Sequence, residues 1–199
     1  MALTLVYDIG KKRYINLTNA CTLECQFCPK HNGSTQVHEF DLYMKKQPSA
    51  SDIIIELGDL SEVEEVVFCG FGESTLRLLP LLEIATYVKA QGVPVRVNTD
   101  GLGNLVHKRN ILPDLASVVD ALSISLNAQN EAVYNQHCHP KKQGAYQAVR
   151  DFIELAPRYI QKVEVSAIDG LADVDVAECQ RIAEASGAMF KRRVLDQVG

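Results

Sequence analysis

The sequence predicts an α/β fold: a partial TIM barrel of about six βα units, opened by an N-terminal β-hairpin. Three observations predict it. Strand signals alternate with helix signals along the chain, a pattern that pairs strands in parallel through right-handed crossovers. The core strands number about six, too few to close an eight-stranded barrel. A cluster of cysteines directly follows the first core strand, at the carboxyl end where such sheets place their chemistry.

Each element has its own local reason. Residues 3–8 and 13–19, around Gly10-Lys11-Lys12, read as a hairpin leading into the first core strand. After the cysteine loop and a polar stretch, Pro48-Ser49-Ala50-Ser51-Asp52 opens a helix running to Leu57. Glu65–Cys69 is a short buried strand. Residues 75–90 are helical, with Leu78, Leu81, Leu82, Ala85 and Val88 forming an apolar stripe. Val93–Thr99 is the next strand. A helix near 112–117, a strand at 119–126, and helices near 130–137 and 143–156 follow. A strand at 160–167, a helix at 173–186 and a strand at 188–194 complete the chain. There is no low-complexity tract, repeat or linker, so residues 1–199 are expected to form one domain.

A chain of 199 residues can bury roughly 70 per cent of its unfolded surface. Its hydrophobic share of 47% and charged share of 23% are ordinary for a globular protein. A formal net charge of −5 argues against a general nucleic-acid surface. No apolar run is long enough to span a bilayer, and the Met1–Asp8 start lacks the basic and apolar regions of a signal peptide. Six cysteines without a secretory start point to a reducing, cytoplasmic setting with metal or redox roles for the thiols.

Cys21, Cys25 and Cys28 carry the functional argument. Their C-x3-C-x2-C spacing lets three thiolates converge on one metal centre. Structural zinc is closed by four protein ligands, and electron-transferring iron–sulfur clusters usually have four cysteines. Three ligands leave one coordination position open. Zinc with His31 as fourth ligand is an alternative. Three buried, inert cysteines are another.

The spacing, with Phe27 before the last cysteine, resembles the radical S-adenosylmethionine (SAM) superfamily. The resemblance implies a 4Fe-4S cluster on the three cysteines, with SAM chelating the fourth iron. It also implies the partial barrel as the family's core fold. Cys69-Gly70-Phe71-Gly72-Glu73-Ser74, at the end of the second core strand, resembles the family's Gly-Gly-Glu motif. By that resemblance Gly70, Gly72 and Glu73 contact the amino group of SAM; the plain alternative is a strand-to-helix turn with Glu73 at the helix start.

Asn98-Thr99-Asp100-Gly101 resembles the family's Thr-Asn-Gly segment, and also reads as an Asp-Gly turn. In Asp120–Asn127, Leu122, Ile124 and Leu126 alternate with Ser123, Ser125 and Asn127, giving one oily and one polar face. The resemblance gives Ser123, Ser125 and Asn127 to SAM; an internal polar network is the alternative. In the last strand, alternation turns Phe190 and Val194 toward the helices and Lys191 and Arg193 into the barrel. Those two cations, with His31, are candidates for substrate contact; pairing with Glu164 and Asp169 is the rival reading. Cys69, beside the glycine turn, and His137-Cys138-His139, metal-like in composition, are alternative ligands, but these and Cys179 read first as structural.

The ordered set Phe27–Gly33, Asp41–Tyr43, Gly70–Arg77, Ser123–Ala128 and Tyr134–Pro140 is similar to the TatD-associated radical SAM proteins. Ser74 stands where that pattern has Pro, and Asp100 where it has Asn. The expectation is an enzyme that reductively cleaves SAM to a 5′-deoxyadenosyl radical, which abstracts hydrogen from an unidentified substrate. A reductant such as flavodoxin or ferredoxin is implied. The rival functions are a zinc-stabilised, non-catalytic α/β binding module and an iron–sulfur electron carrier.

Overall fold

A computed structural model describes residues 4–195. A seven-stranded sheet runs in the order β1-β2-β5-β6-β7-β8-β9. Strand β1 (Val6–Ile9) and β2 (Lys12–Ile15) form the expected hairpin, turned at Gly10 with φ 61°. Between them and β5 lie a small hairpin, β3 (Gln36–Val37) with β4 (Phe40–Asp41), and helix α1 (Ala50–Leu57). The remaining order is β5 (Glu65–Phe68), α2 (Leu78–Ala90), β6 (Val95–Thr99), α3 (Gly103–His107) and α4 (Leu112–Ala116). Then come β7 (Ala121–Ser125), α5 (Glu131–Cys138), α6 (Ala145–Leu155), β8 (Lys162–Asp169), α7 (Val176–Ala185) and β9 (Met189–Val194).

From β2 to β9 every pairing is parallel, so the sheet holds the six expected barrel strands and does not close. Parallel strands need crossovers, and helices supply them on one side only. That side is oily. Ile15, Phe68, Val97, Leu122, Ile124 and Val165 are fully buried there, in one core with Leu81, Ile84, Val88, Val149 and Phe152 of the helices. The other side is concave and polar, and the register fixes its members: Asn98 pairs with Ser123, Ser123 with Glu164, and Ser166 with Lys191.

Local capping sets the helix starts. Ser49 accepts from the Asp52 amide at 3.1 Å while Asp52 accepts from the Ser49 amide at 2.8 Å, a reciprocal capping box. Asn130 caps α5 and Asp175 caps α7 in the same way from one side.

Three expectations shift. The first core strand ends at Ile15, not at residue 19; just beyond it, Asn16 donates its side-chain amide to the Leu42 carbonyl, 2.8 Å away. The helix expected from 75 begins as a 3-10 turn at Ser74–Arg77 and becomes α-helical only at Leu78. The stretch between the cysteines and α1 holds the β3–β4 hairpin. Its two-residue strands carry no sequence periodicity; Phe40 and Leu42 hold it by packing on Tyr7, with ring centroids of Tyr7 and Phe40 5.1 Å apart. No helix among the described residues is long and apolar enough to cross a membrane.

Candidate functional site

The cysteine loop leaves the sheet after Ile15 and is sewn down on two flanks. On one flank the turn after β5 holds it: the Cys69 amide donates to Ile15 O at 3.1 Å, the Glu73 amide to Ala20 O at 2.8 Å, and Arg77 to Leu17 O at 3.0 Å. On the other flank the carboxyl end of α5 holds it. The Glu24 amide donates to Cys138 O at 3.0 Å and the Gln26 amide to His137 O at 2.9 Å. Beneath the loop, the Thr22 hydroxyl donates to the Asp100 carboxylate. A further bond from Lys30 Nζ to Asn19 O, 3.0 Å, ties the loop's far end to its start.

All six cysteines are free, and Cys21, Cys25 and Cys28 are half-buried. Burial, reinforced by nearby Asp100, pushes the Cys21 thiol up to about 12. Cys25 is raised by its hydrogen-bonding contact with Cys138 and by burial, and Cys28 by burial. Phe27 packs with Cys21 and Cys25 against the main core. Among the described residues no three of His, Cys, Asp and Glu converge closely enough for a single ion.

The glycines of Gly70-Phe71-Gly72 are demanded by this packing. A Cβ at Gly70 would strike the Asn16 side chain, and one at Gly72 would overlap the carbonyl oxygens of Thr18 and Ala20. The neighbouring Glu73, 3% exposed, is committed inside the protein. Its carboxylate accepts from the Thr75 amide (2.9 Å) and hydroxyl (2.6 Å), the Thr99 hydroxyl (2.9 Å) and the Asp100 amide (2.7 Å). That bonding joins the ends of β5 and β6. Burial, then the facing Glu73, holds the Asp100 carboxyl well above the usual carboxylate range. The Asp100-Gly101 turn is also real, with Gly101 at φ 77°.

Ser123 and Ser125 lie half-buried on the concave side, as expected from alternation, and Asn98, paired with Ser123, lies half-buried beside them. Asn127, one step beyond β7, is buried and adopts φ 61°. Its amide group reaches Cys138 Sγ at 3.8 Å, while its Oδ1 is buried without a hydrogen-bond partner. The hydroxyl of fully buried Tyr134 is also unpartnered, and Cys138, Asp100, Cys25 and Cys21 all lie close enough to act on it.

Cys25 lies near enough to Cys21 and Cys28 to act on their thiols, Glu73 is near Cys21, and Asn127 reaches the loop through Cys138. The structure leaves His31 exposed at the rim, and Lys191 exposed on the edge strand. His137 Nε2 bonds Ala172 O while its Nδ1 is buried without a partner among the described residues, and His139 bonds Gln26. Tyr134 and Cys138, which the sequence reading did not assign to the site, lie near the cysteine loop. Only the contact of α5 with the loop reveals them, and no local pattern encodes that contact. A groove of about 540 Å³ between β9 and α7 opens on the helix side of the sheet, away from the cysteines.

The residues fit an iron–sulfur cluster and its small-molecule ligand. Three soft donors sit on one loop with no disulfide among them. Near them, Asn127 Oδ1 and Tyr134 OH are among the buried polar atoms that find no hydrogen-bond partner among the described residues.

Against known proteins, residues 15–185 match the radical SAM superfamily. No curated protein matches the sequence. Several solved structures share the fold. One is TYW1 with a lysine-pyruvate adduct bound, at TM-score 0.67 and 15% identity, covering 94% of this chain and 66% of that one. Another is Streptococcus suis SuiB bound to S-adenosylmethionine, at TM-score 0.66 and 14% identity, covering 93% and 38%. A third is methylornithine synthase (PylB), at TM-score 0.59 and 15% identity, covering 92% and 53%. This chain therefore spans less than two thirds of the length of each.

Proposed function

We propose, from the premise that this chain belongs to the radical SAM superfamily, that it is an enzyme in which Cys21, Cys25 and Cys28 hold a 4Fe-4S cluster and SAM binds beside them. A single observation carries the reading: three free, half-buried cysteines on one loop, clamped from both flanks at the carboxyl end of the first parallel strand. When bound, the cluster and SAM supply a 5′-deoxyadenosyl radical that takes a hydrogen atom from a substrate. The solved complex of SuiB with SAM supports a SAM site on this fold.

The chain's own residues do the positioning. Backbone groups at Gly70 and Gly72 face the loop, and Glu73 locks the ends of β5 and β6 into the geometry that SAM meets. Asn127 Oδ1 and the Tyr134 hydroxyl offer the buried acceptor and donor that a polar ligand satisfies. Ser123, Ser125 and Asn98 line the concave wall toward the ribose and carboxylate of SAM, and Phe27 closes the apolar side. His31, Lys191 and Arg193 border the open mouth on the substrate side. The ordered segments from Phe27 to Pro140 support membership of the TatD-associated subfamily, with flavodoxin or ferredoxin as electron donor.

Anaerobic reconstitution tests the proposal. The protein should take up about four irons and four sulfides. Once reduced, it should release 5′-deoxyadenosine from SAM. A colourless protein that isolates with stoichiometric zinc would refute it and favour a zinc-stabilised binding module.

A further inference from the structure

The concave face ends at β9, and the charge on that strand has a destination inside the barrel. Phe190 and Arg192 face the helices, where they line the groove with Val176 and Gln180 of α7. Lys191 and Arg193 therefore face the concave side, in register with Ser166 and Ile168. Arg192 is neutralised by Asp169. Arg193 is not.

Every other arginine in the chain has a described hydrogen-bond or ion-pair partner. The contrast with Arg96, the other arginine of the concave face, is the sharpest. Arg96 bonds Glu65 at 3.1 Å and Asn98 at 3.2 Å, and Glu65 also takes Lys12 at 2.9 Å. That group forms a closed, satisfied floor. Arg193 has no partner of either kind among the described residues, although it is partly buried. Glu164, the acidic residue on the inner face of the adjoining strand, accepts from Ser123 at 3.1 Å and forms no ion pair among the described residues. Burial lowers the Arg193 pKa, and Cys69 and Cys25 are close enough to act on its charge. The charge of Arg193, on the concave face of the edge strand, is thus within electrostatic range of the cysteine loop.

A desolvated cation without a counter-charge is costly unless something supplies one. The expected SAM contacts lie at the ends of β5, β6 and β7. Arg193 stands two strands beyond β7, across the concavity. We infer that Arg193 is the anchor for an oxyanion, a carboxylate or phosphate carried by the substrate, held across the barrel from SAM. A guanidinium suits this role because its fork binds either oxyanion through two parallel hydrogen bonds. Lys191, exposed one step lower on the same face, adds charge at the mouth that draws the anion in. This inference rests on the radical SAM reading for the identity of the site, but not for the anion itself.

Calorimetric titration of the reconstituted, SAM-loaded protein with inorganic phosphate and, separately, with acetate tests it. Wild type should bind one of the two saturably at a single site, and which one it prefers separates a phosphorylated from a carboxylic substrate. Arg193→Gln should weaken that binding by about tenfold or more, Arg193→Lys should keep part of it, and Arg192→Gln should leave it unchanged. SAM affinity should stay within about twofold in all three, since a twofold change is a small free-energy difference. The absence of saturable binding in wild type, or equal binding in Arg193→Gln, would overturn the assignment. Loss of SAM affinity along with anion affinity in Arg193→Gln would overturn it in favour of Arg193 as the partner of the SAM carboxylate. The same phosphate and acetate titrations on cluster-free protein separate the two claims: anion binding that persists there while SAM fails to bind the loaded protein would sink the radical SAM reading and leave the anion site standing.

Discussion

At the scale of single residues, the site divides into groups that bind and groups that brace. Asn127 does both. A non-glycine residue at φ 61° carries strain of about 1 kcal/mol, and its unpartnered Oδ1 gives the strain a use. Asn127→Gly should therefore fold at least as stably as wild type while SAM affinity falls about tenfold; melting curves and SAM titration read the two separately. Glu73 is the opposite case. With four neutral donors on a buried carboxylate, Glu73→Ala leaves buried donors unpaired and should cost about 1–3 kcal/mol of stability in cluster-free protein, measured by urea unfolding. A variant that lost SAM affinity without losing stability would show that the side chain meets the ligand directly. The thiols sort by place. Cys21→Ala, Cys25→Ala and Cys28→Ala should each abolish cluster loading, whereas Cys69→Ala and Cys138→Ala should retain about four irons per chain by analysis.

At the scale of elements, the cysteine loop depends on partners distant in sequence. Gly72 is the hinge of one flank: Gly72→Ala pushes a methyl into the Thr18 and Ala20 carbonyls. Overpacking of that kind costs about 1–3 kcal/mol, and here it falls on the loop that carries the ligands. Iron content should drop even where circular dichroism shows a folded protein. The elements differ in how far the sequence discloses them. The capping box at Ser49-Asp52 and the alternation of Leu122, Ile124 and Leu126 are local signals, and both elements formed where those signals placed them. The C-x3-C-x2-C spacing is likewise local. The β3–β4 hairpin and helix α3 were not legible. Each is built from very short segments and is held by tertiary contacts, Phe40 on Tyr7 in one case and Ile111 against Gly103 in the other. The contacts of Cys138 with Cys25 and of Thr22 with Asp100 join residues far apart in the chain, so no window of sequence contains them. Alternation did place Arg193 on the concave face; only the structure shows that Arg193, unlike Arg96, finds no partner among the described residues.

At the scale of the whole molecule, one oily face and one polar concavity follow from a single sheet that stops at six parallel strands. The helices cover the first. The second is left with a satisfied floor at Lys12, Glu65 and Arg96, a cysteine loop at the carboxyl rim, and on the far edge a cation with no partner among the described residues. The central claim is that the loop holds a cluster with one iron open to SAM. Electron paramagnetic resonance of the reduced, reconstituted protein before and after adding SAM tests it most directly. A 4Fe-4S signal whose line shape shifts on SAM addition is the predicted result. A signal that SAM leaves unchanged would contradict the claim and assign the cysteines to an electron carrier.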